Sequence, residues 1–182
     1  MELQTKRLKL RQLLLTDLDK IHELHSLPET DEFNTMGIPD TIETTKQLVS
    51  SWLIIQDEIP RKKYVFCIIN NDNEFIGLIG LNIGRPKYKN AEVWFKIHSK
   101  YYNQGYATEA VNRILHFSFA DLKLHRIGAG CAVGNLASKR VLEKVGMTQE
   151  GLCRKILPIR GQWIDNFEFA ILETDFENID CT

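Results

Sequence analysis

The stretch from Gln104 to Thr108 has the composition of an anion-binding helix start. A strand is predicted to end near His98 and a helix to begin at Gly105, so the first backbone N–H groups of that helix lack intrahelical acceptors. Such donors, together with the helix dipole, favour a phosphate at this point. Gly105 allows close approach of the backbone, and Ala107 keeps the next turn uncrowded. A glycine at a helix start is also common in helices that bind nothing, so this stretch alone does not decide the matter.

A second helix start follows the strand predicted over residues 126–133. Asn135 and Ser138 stand three residues apart in its first turn and therefore share one face of the helix. Two interpretations stay open at this point: polar side chains presented to a ligand, or an ordinary N-cap at Asn135 followed by a solvated Ser138.

These two turns lie in a chain whose hydrophobic periodicity changes along its length. Strands are predicted over residues 8–13, 64–69, 75–83, 90–98, 126–133, 147–157 and 163–172, and helices over 16–27, 41–57, 105–122 and 135–145, with an irregular segment over 29–40. A hairpin meander followed by one strand–helix–strand crossover predicts an α+β (mixed α/β) fold, with a twisted, mostly antiparallel sheet of about seven strands and about four helices packed on it. One domain over residues 1–182 is the simplest interpretation.

Composition narrows the classes of function. Apolar residues make up 43% of the 182 residues and charged residues 26%, as in globular proteins, and 23 basic against 24 acidic residues give a net charge of −1. Such a chain has no general attraction for nucleic acid or anionic membranes, so a bound anion needs a local site. No segment has the pattern of a signal peptide or a membrane span, which predicts a cytoplasmic protein. The scattered cysteines predict neither disulfides nor a metal site; Cys67, Cys131 and Cys153 are expected to be buried thiols, and Cys181 incidental.

Several short segments, in a fixed order, resemble the GNAT N-acetyltransferase superfamily. The nearest branch is the one that contains the RimJ/RimL-like ribosomal-protein alanine acetyltransferases. The matching segments span nearly the whole chain and are Thr5–Arg11, Ala91–Val93, Gly105–Ala110, Leu124–Ile127, Asn135–Ser138, Val141–Gly146 and Glu150–Gly151.

The resemblance implies a V-shaped opening between residues 93–97 and 128–133, in which acetyl-CoA lies as a co-substrate, without a metal. The pantetheine arm would pair with backbone groups of Phe95 and Ile97 and bond to Asn135. The pyrophosphate would rest on the N–H groups of the loop residues Gln104, Gly105, Tyr106, Ala107 and Thr108.

The chain departs from the family pattern at two positions of this loop. Tyr102 stands where Gln or Arg is usual, and neutral Gln104 stands where a basic residue is frequent. The site therefore loses a cation. Four basic residues are candidates to compensate near the nucleotide, with solvated helix surface as the alternative for each: Lys100, Lys139, Arg140 and Lys144.

Acetyl transfer to an amine needs a base, an oxyanion donor and an acid, and we expect direct attack within a ternary complex. Glu92 is the predicted base, acting through a water, with burial raising its pKa; pairing across the sheet is the alternative. Asp165 is the next candidate, and it is equally suited to bind the acceptor's ammonium. The resemblance implies Ser138 as the acid, and the N–H near Phe95 is the natural oxyanion donor. Glu109 is given a structural role, and the default for the three tryptophans is core packing.

The acceptor is the part of the function that the sequence defines least. The branch implies the N-terminal amine of a ribosomal protein, a free amino acid, a polyamine or an amine antibiotic, taken by a monomer or homodimer. Glu29, Asp31 and Glu32 either attract a cationic acceptor or are ordinary loop surface. The alternative function is a non-catalytic acyl-CoA-binding sensor on the same fold. A flavodoxin-like phosphate-binding module is disfavoured by the single crossover.

Overall fold

The strands and helices follow the predicted order, with additions near both ends of the chain. The computed structural model describes residues 1–180, with side-chain environments for residues 1–176. The strands are β1 Glu2–Gln4, β2 Leu8–Gln12, β3 Lys63–Asn70, β4 Phe75–Ile83, β5 Asn90–Ile97, β6 Arg126–Ala132, β7 Thr148–Ile159 and β8 Gln162–Leu172. The α-helices are α1 Leu18–Ser26, α2 Pro28–Asp31, α3 Ile42–Gln56, α4 Tyr106–His116, α5 Leu136–Lys144 and α6 Glu173–Asp180.

The strands form one eight-stranded sheet in the order β1-β2-β3-β4-β5-β6-β8-β7. Neighbouring strands are antiparallel except β5 and β6, which run parallel because α4 carries the chain back along the sheet between them. The predicted α+β class and the mostly antiparallel sheet are confirmed.

The predicted numbers of about seven strands and four helices were too low, because short or polar elements leave little periodicity. β1 has three residues. α2, Pro28–Asp31, is a single turn that begins just before the segment expected to be irregular over residues 29–40 and extends into it. α6 begins at Glu173, directly after β8, where the sequence ETDFENID has few apolar residues. The helix predicted over 105–122 ends as an α-helix at His116 and continues as a π-helical turn over Phe117–Asp121.

Each face of the sheet carries its own hydrophobic core. On one face α4 buries neighbouring positions of a single stripe, which is the pattern of an amphipathic helix: Ala110, Val111, Ile114 and Leu115. On the other face α1 and α3 pack against alternate residues of β3 and β4, which include Val65, Cys67 and Leu78. Trp94 of β5 joins this second core through Trp52 of α3, whose ring centroid lies 5.8 Å from its own.

The sheet opens between β5 and β6. Their paired residues are Asn90 with Arg126, Ala91 with Ile127 and Glu92 with Gly128, and no pairing continues beyond Glu92 within the described chain. β5 remains paired with β4 as far as Ile97. The two strands therefore part after Glu92, as the predicted V-shaped opening requires.

Two expectations about side-chain burial were wrong. Cys67 and Cys131 are buried, but Cys153 is only half-buried because β7 is an edge strand; Cys181 lies outside the described residues. Trp163 is 60% exposed beside the β7–β8 turn, so it is not a core residue, unlike Trp52.

Among the described helices, none combines the length and apolar character needed to cross a membrane.

Candidate active site

The opening between β5 and β6 leads into a groove with a volume of about 600 Å³. Its walls come from β5, the loop before α4, the first turns of α4 and α5, and the segment around α2. The sequence-predicted residues that line it are Phe95, Ile97, Gly105, Tyr106, Ala107, Thr108, Asn135, Ser138 and Arg140. The structure therefore brings nine of the predicted cofactor residues to one cavity, and Gln104 lies outside its lining.

The loop before α4 presents unpaired backbone donors to this groove. Gly105 is the N-cap residue and has left-handed backbone angles (φ 78°, ψ 2°), which glycine adopts without the strain that a Cβ introduces. Among the described residues, no acceptor is found for the backbone N–H groups of Gln104 to Thr108. Five unsatisfied donors at the positive end of a helix form a site for an anion such as a pyrophosphate.

Sequence reasoning missed the contact that fixes this loop from behind. Arg7, in the turn between β1 and β2, donates from Nη1 to the carbonyl of Gln104 at 3.0 Å. Its Nε donates to Glu109 Oε2 at 2.6 Å, and its guanidinium carbon lies 4.7 Å from the centre of the Tyr106 ring. The matching segment Thr5–Arg11 was the available signal, but the sequence does not show that it reaches residues about a hundred positions away.

Glu109 has the structural role expected of it. Its Oε1 accepts hydrogen bonds from Thr5 Oγ1 at 2.6 Å and from the Arg7 backbone N–H at 2.9 Å. Desolvation raises the pKa of this carboxyl, but the hydrogen bonds from Thr5 and Arg7 outweigh it, and the pKa lies below its ordinary value. Glu109 is therefore a carboxylate that ties the N-terminal turn to the first turn of α4.

The exposed edge of β5 supplies the other kind of backbone group in the groove. His98 N–H donates to the carbonyl of Ile76 at 2.9 Å, and Gly84 N–H donates to the carbonyl of Asn90 at 2.8 Å, so even-numbered residues of β5 bond to β4. In an antiparallel pair these bonds alternate along the strand. The backbone N–H and C=O groups of Phe95 and Ile97 therefore face the opening, where an extended ligand can pair with them.

At the start of α5, Asn135 caps the helix and lines the groove at once. Its Oδ1 accepts a hydrogen bond from the backbone N–H of Ser138 at 3.0 Å, which is the N-cap interaction considered from the sequence. Its side-chain amide donors have no acceptor among the described residues, so they are available to a ligand. The N-cap interaction is therefore present, and it leaves free the donors that the ligand-binding interpretation requires.

The basic residues near the loop divide into two pairs. Lys100 lies 3.2 Å from Glu74 and Lys139 lies 3.7 Å from Glu143, which fits the surface alternative. Arg140 and Lys144 line the groove, as compensation for neutral Gln104 requires.

Glu92 is not where the predicted base was expected. It belongs to the last paired position before the strands part, and its side chain is exposed. It lines neither the groove nor the second cavity described below, and no hydrogen bond or ion pair of its side chain is found among the described residues. The expected burial is therefore absent, and so is the pairing across the sheet that was its alternative.

Asp165 lines a second cavity of about 540 Å³, on the β7–β8 side of the opening. Its Oδ1 accepts the backbone N–H of Lys155 at 2.9 Å, and the Lys155 ammonium lies 3.7 Å away. Glu32 and Phe33, which follow α2, line this cavity and the groove alike. The segment after α2 therefore borders both spaces.

The three acids of the α2 region have different surroundings. Asp31 is buried, and its Oδ2 accepts a hydrogen bond from Arg160 Nε at 3.0 Å. Glu29 and Glu32 are exposed and line the groove. Desolvation, and then the charges of these two carboxylates, raise the pKa of Tyr102.

Comparison with known proteins places this geometry in a family. The family described as "Acetyltransferase (GNAT) domain" matches residues 7–148. The Bacillus subtilis protein named "Probable N-acetyltransferase YjcK" is 32% identical over 182 residues, 96% of this chain and 99% of the relative. The "Spermidine N(1)-acetyltransferase" of Vibrio cholerae is 26% identical over 172 residues, 94% and 96% of the two chains. The "Putative ribosomal N-acetyltransferase YdaF" of Bacillus subtilis is 28% identical over 106 residues, 58% of each chain.

The fold agrees with a solved member of the same family. The crystal structure of an acetyltransferase (GNAT family) from Bacillus anthracis superposes with a TM-score of 0.83 at 31% identity, covering 96% of this chain and 99% of that one. The resemblance inferred from the sequence is confirmed by the family match and by this structure. The chain belongs to the GNAT acetyltransferase family and is an acetyl-CoA-dependent N-acetyltransferase.

Proposed function

We propose that this enzyme binds acetyl-CoA in the β5–β6 groove and transfers its acetyl group to a primary amine by direct attack within a ternary complex. The observation that carries the proposal is the coincidence of two sets of free backbone groups in one groove. The donors of residues 104–108 suit a pyrophosphate, and the β5 edge at Phe95 and Ile97 suits a pantetheine arm paired like an added strand.

The remaining cofactor contacts follow from the lining of the groove. The free amide donors of Asn135 would bond to the pantetheine arm, and Arg140 would neutralise phosphate charge near the nucleotide, with Lys144 beside it. Gln104 would contribute its backbone N–H alone, because its side-chain amide donates to the carbonyl of Lys100 at 3.2 Å.

For the transfer of the acetyl group we propose one role for each of four groups in the protein. The Phe95 N–H faces the opening and would stabilise the oxyanion, and Ser138, on the groove wall, would protonate the departing thiolate. Glu92 remains the proposed base, acting through a water: its place at the last paired position before the strands part supports this role, although its side chain is exposed and lines neither cavity. Asp165 would attract the acceptor's ammonium in the second cavity, where Lys155 keeps it oriented.

Two acceptor classes have support, and we propose a primary amine of either kind. The relative named as a spermidine acetyltransferase supports a small polyamine, and exposed Glu29 and Glu32 suit a cation. The relative named as a ribosomal acetyltransferase supports a protein N-terminus, which an open cavity of about 540 Å³ admits.

The test begins with calorimetric titration of the protein with acetyl-CoA, using ATP and dephospho-CoA as controls. It continues with a thiol-release assay on spermidine, free amino acids and N-terminal peptides. We expect binding of acetyl-CoA, turnover with one class of amine, and intersecting double-reciprocal lines, since parallel lines indicate an acyl-enzyme. Binding without turnover on any amine would support the sensor alternative, and absence of binding by folded protein would reject the groove.

A further inference from the structure

Lys96 is a nucleophile inside the proposed cofactor groove that the mechanism above does not use. It lies on β5 between Phe95 and Ile97, and all three residues line the groove. By strand alternation its side chain shares a face with Trp94, on the side of the sheet covered by α1 and α3. No hydrogen bond or ion pair of the Lys96 ammonium is found among the described residues, although the side chain is only partly exposed.

The neighbours of Lys96 leave this amine without a partner. Asp31, 7% exposed, gives one carboxylate oxygen to Arg160, and its Oδ1 is buried without a hydrogen bond, as is the hydroxyl of Thr30. His25 is buried at 5% exposure and packs edge-on against Trp52. The wall beside Lys96 therefore combines unsatisfied polar atoms with an aromatic surface, and it offers the ammonium little of the solvation that water provides.

The charge state of Lys96 follows from these surroundings. Burial lowers the pKa of Lys96 to about 8, against the opposing effect of the Asp31 charge. Burial and then the Lys96 charge lower the pKa of His25 to about 3, so this histidine is neutral and does not repel the ammonium at neutral pH. A sizeable fraction of Lys96 is then an uncharged amine at a mildly alkaline pH, whereas an exposed lysine is almost fully protonated.

From this geometry we infer that Lys96 is an internal acetyl acceptor, modified by the acetyl-CoA bound in its own groove. The inference rests on the proposed function, because it requires acetyl-CoA at this site. The neutral Nζ attacks the thioester carbonyl carbon, a C–N bond forms, and the C–S bond breaks with its electron pair on sulfur. The proton released from nitrogen returns to the thiolate, so the products are CoA and N-acetyl-Lys96.

Acetylation of Lys96 has a lasting effect on the groove. An amide is stable, so the acetyl group is not passed on to an acceptor, and the side chain becomes longer and uncharged. The modified residue occupies part of the wall between Phe95 and Ile97. Enzyme kept with acetyl-CoA in the absence of an amine acceptor therefore loses activity over time, and an acceptor that consumes the thioester protects it.

The experiment compares acetylation of Lys96 with that of exposed lysines in the intact enzyme. Protein is incubated with acetyl-CoA at a mildly alkaline pH without acceptor, and each lysine is followed by peptide mass mapping. We expect Lys96 to be acetylated at least about tenfold faster than exposed Lys87, because a bound thioester acts at a high effective concentration. Excess CoA should suppress the Lys96 reaction and leave Lys87 unchanged.

Two controls separate the possible failures. Lys96→Arg keeps the charge and removes the acceptor, so its intact mass should lack the rapidly added acetyl group, while calorimetry with CoA shows that the groove is still formed. Urea-denatured protein should lose the preference for Lys96. If acetyl-CoA binds and Lys96 reacts no faster than Lys87, the inference is wrong and the proposed function stands. If acetyl-CoA does not bind at all, the proposed function itself fails.

Discussion

Replacing Glu109 by Gln tests how the loop before α4 is held in place. The change preserves the size of the side chain but removes its charge. The carboxylate now accepts bonds from Thr5 Oγ1 at 2.6 Å, the Arg7 N–H at 2.9 Å and Arg7 Nε at 2.6 Å. In the variant one amide oxygen remains as an acceptor, and an amide NH₂ faces donors of Arg7.

The expected loss of stability follows from these three bonds. A hydrogen bond to a charged group contributes about 1.5–3 kcal/mol when it is well shielded. The Arg7 side chain is 44% exposed and that of Glu109 is 19% exposed, so solvent reduces the contribution of the ion pair. The remaining oxygen also keeps part of the interaction. We therefore expect Glu109→Gln to lower the free energy of unfolding by about 1–2 kcal/mol at neutral pH.

The pH dependence gives an independent check on the cause. The folded-state pKa of Glu109 lies below its ordinary value of 4.5, so the folded state binds fewer protons at this carboxyl than the unfolded state does. Its stabilising contribution is complete above the ordinary value and is lost as the pH falls through the folded-state pKa. The difference between wild type and Glu109→Gln should therefore be constant near neutrality and should shrink as the pH falls below 4.5.

The assay is urea unfolding at several pH values, accompanied by calorimetric titration with CoA. Glu143→Gln is the matched control, since Glu143 forms a longer contact of 3.7 Å with Lys139 on the surface of α5, and it should cost at most about 0.5 kcal/mol. Because Arg7 also holds the Gln104 carbonyl, Glu109→Gln should weaken CoA binding as well. Equal stabilities of wild type and Glu109→Gln at neutral pH, or a difference that does not change on acidification, would refute the reasoning.

Three further changes probe the site and the core. Gly105→Ala introduces a Cβ at a φ of 78°, so it should cost about 1 kcal/mol of stability and weaken CoA binding in calorimetry; unchanged affinity would show that the loop does not contact the cofactor. Asn135→Ala removes a helix N-cap and a free amide donor, so urea unfolding should show a loss of about 1 kcal/mol together with weaker CoA binding. Iodoacetamide should label the half-buried Cys153 before Cys67 and Cys131, because these last two thiols are buried and burial raises their pKa. Peptide mapping that found Cys67 labelled first would contradict this prediction.

The turn before α4 and the opening of the sheet are the features of the structure that the sequence predicted well. The loop was predicted from a local pattern, namely a strand, a short loop and Gly105 at a helix start, whereas the opening was implied by the family resemblance. Such patterns are set by backbone conformation over a few residues, and the order of the matching segments added the pairing between distant strands. The resemblance also implied that backbone groups of Phe95 and Ile97 are free to pair with a ligand, and the hydrogen-bond alternation with β4 leaves these groups facing the opening.

The side-chain environments could not be predicted in the same way. Arg7 reaches Gln104 and Glu109 across the sheet, and neither spacing nor periodicity encodes such a contact. The burial expected of Glu92 assumed that a residue beside the opening is covered, whereas the strands part just beyond it and leave it exposed. Burial near an opening depends on the tertiary arrangement of both sides, which no local pattern reports.

The opening after Glu92 also affects how the chain folds during synthesis. β1 to β5 all precede residue 98, so five strands can pair while the segment that forms β6 is still being made. During that interval the whole free edge of β5 is available to other nascent chains, and β6 later covers only three of its positions. Glu92 and Lys96, on either side of Trp94, place opposite charges along this edge. Two copies of this edge aligned antiparallel about Trp94 would place Glu92 of one chain opposite Lys96 of the other, so these charges favour such pairing, and the exposure ends only as β6 and the rest of the fold are made.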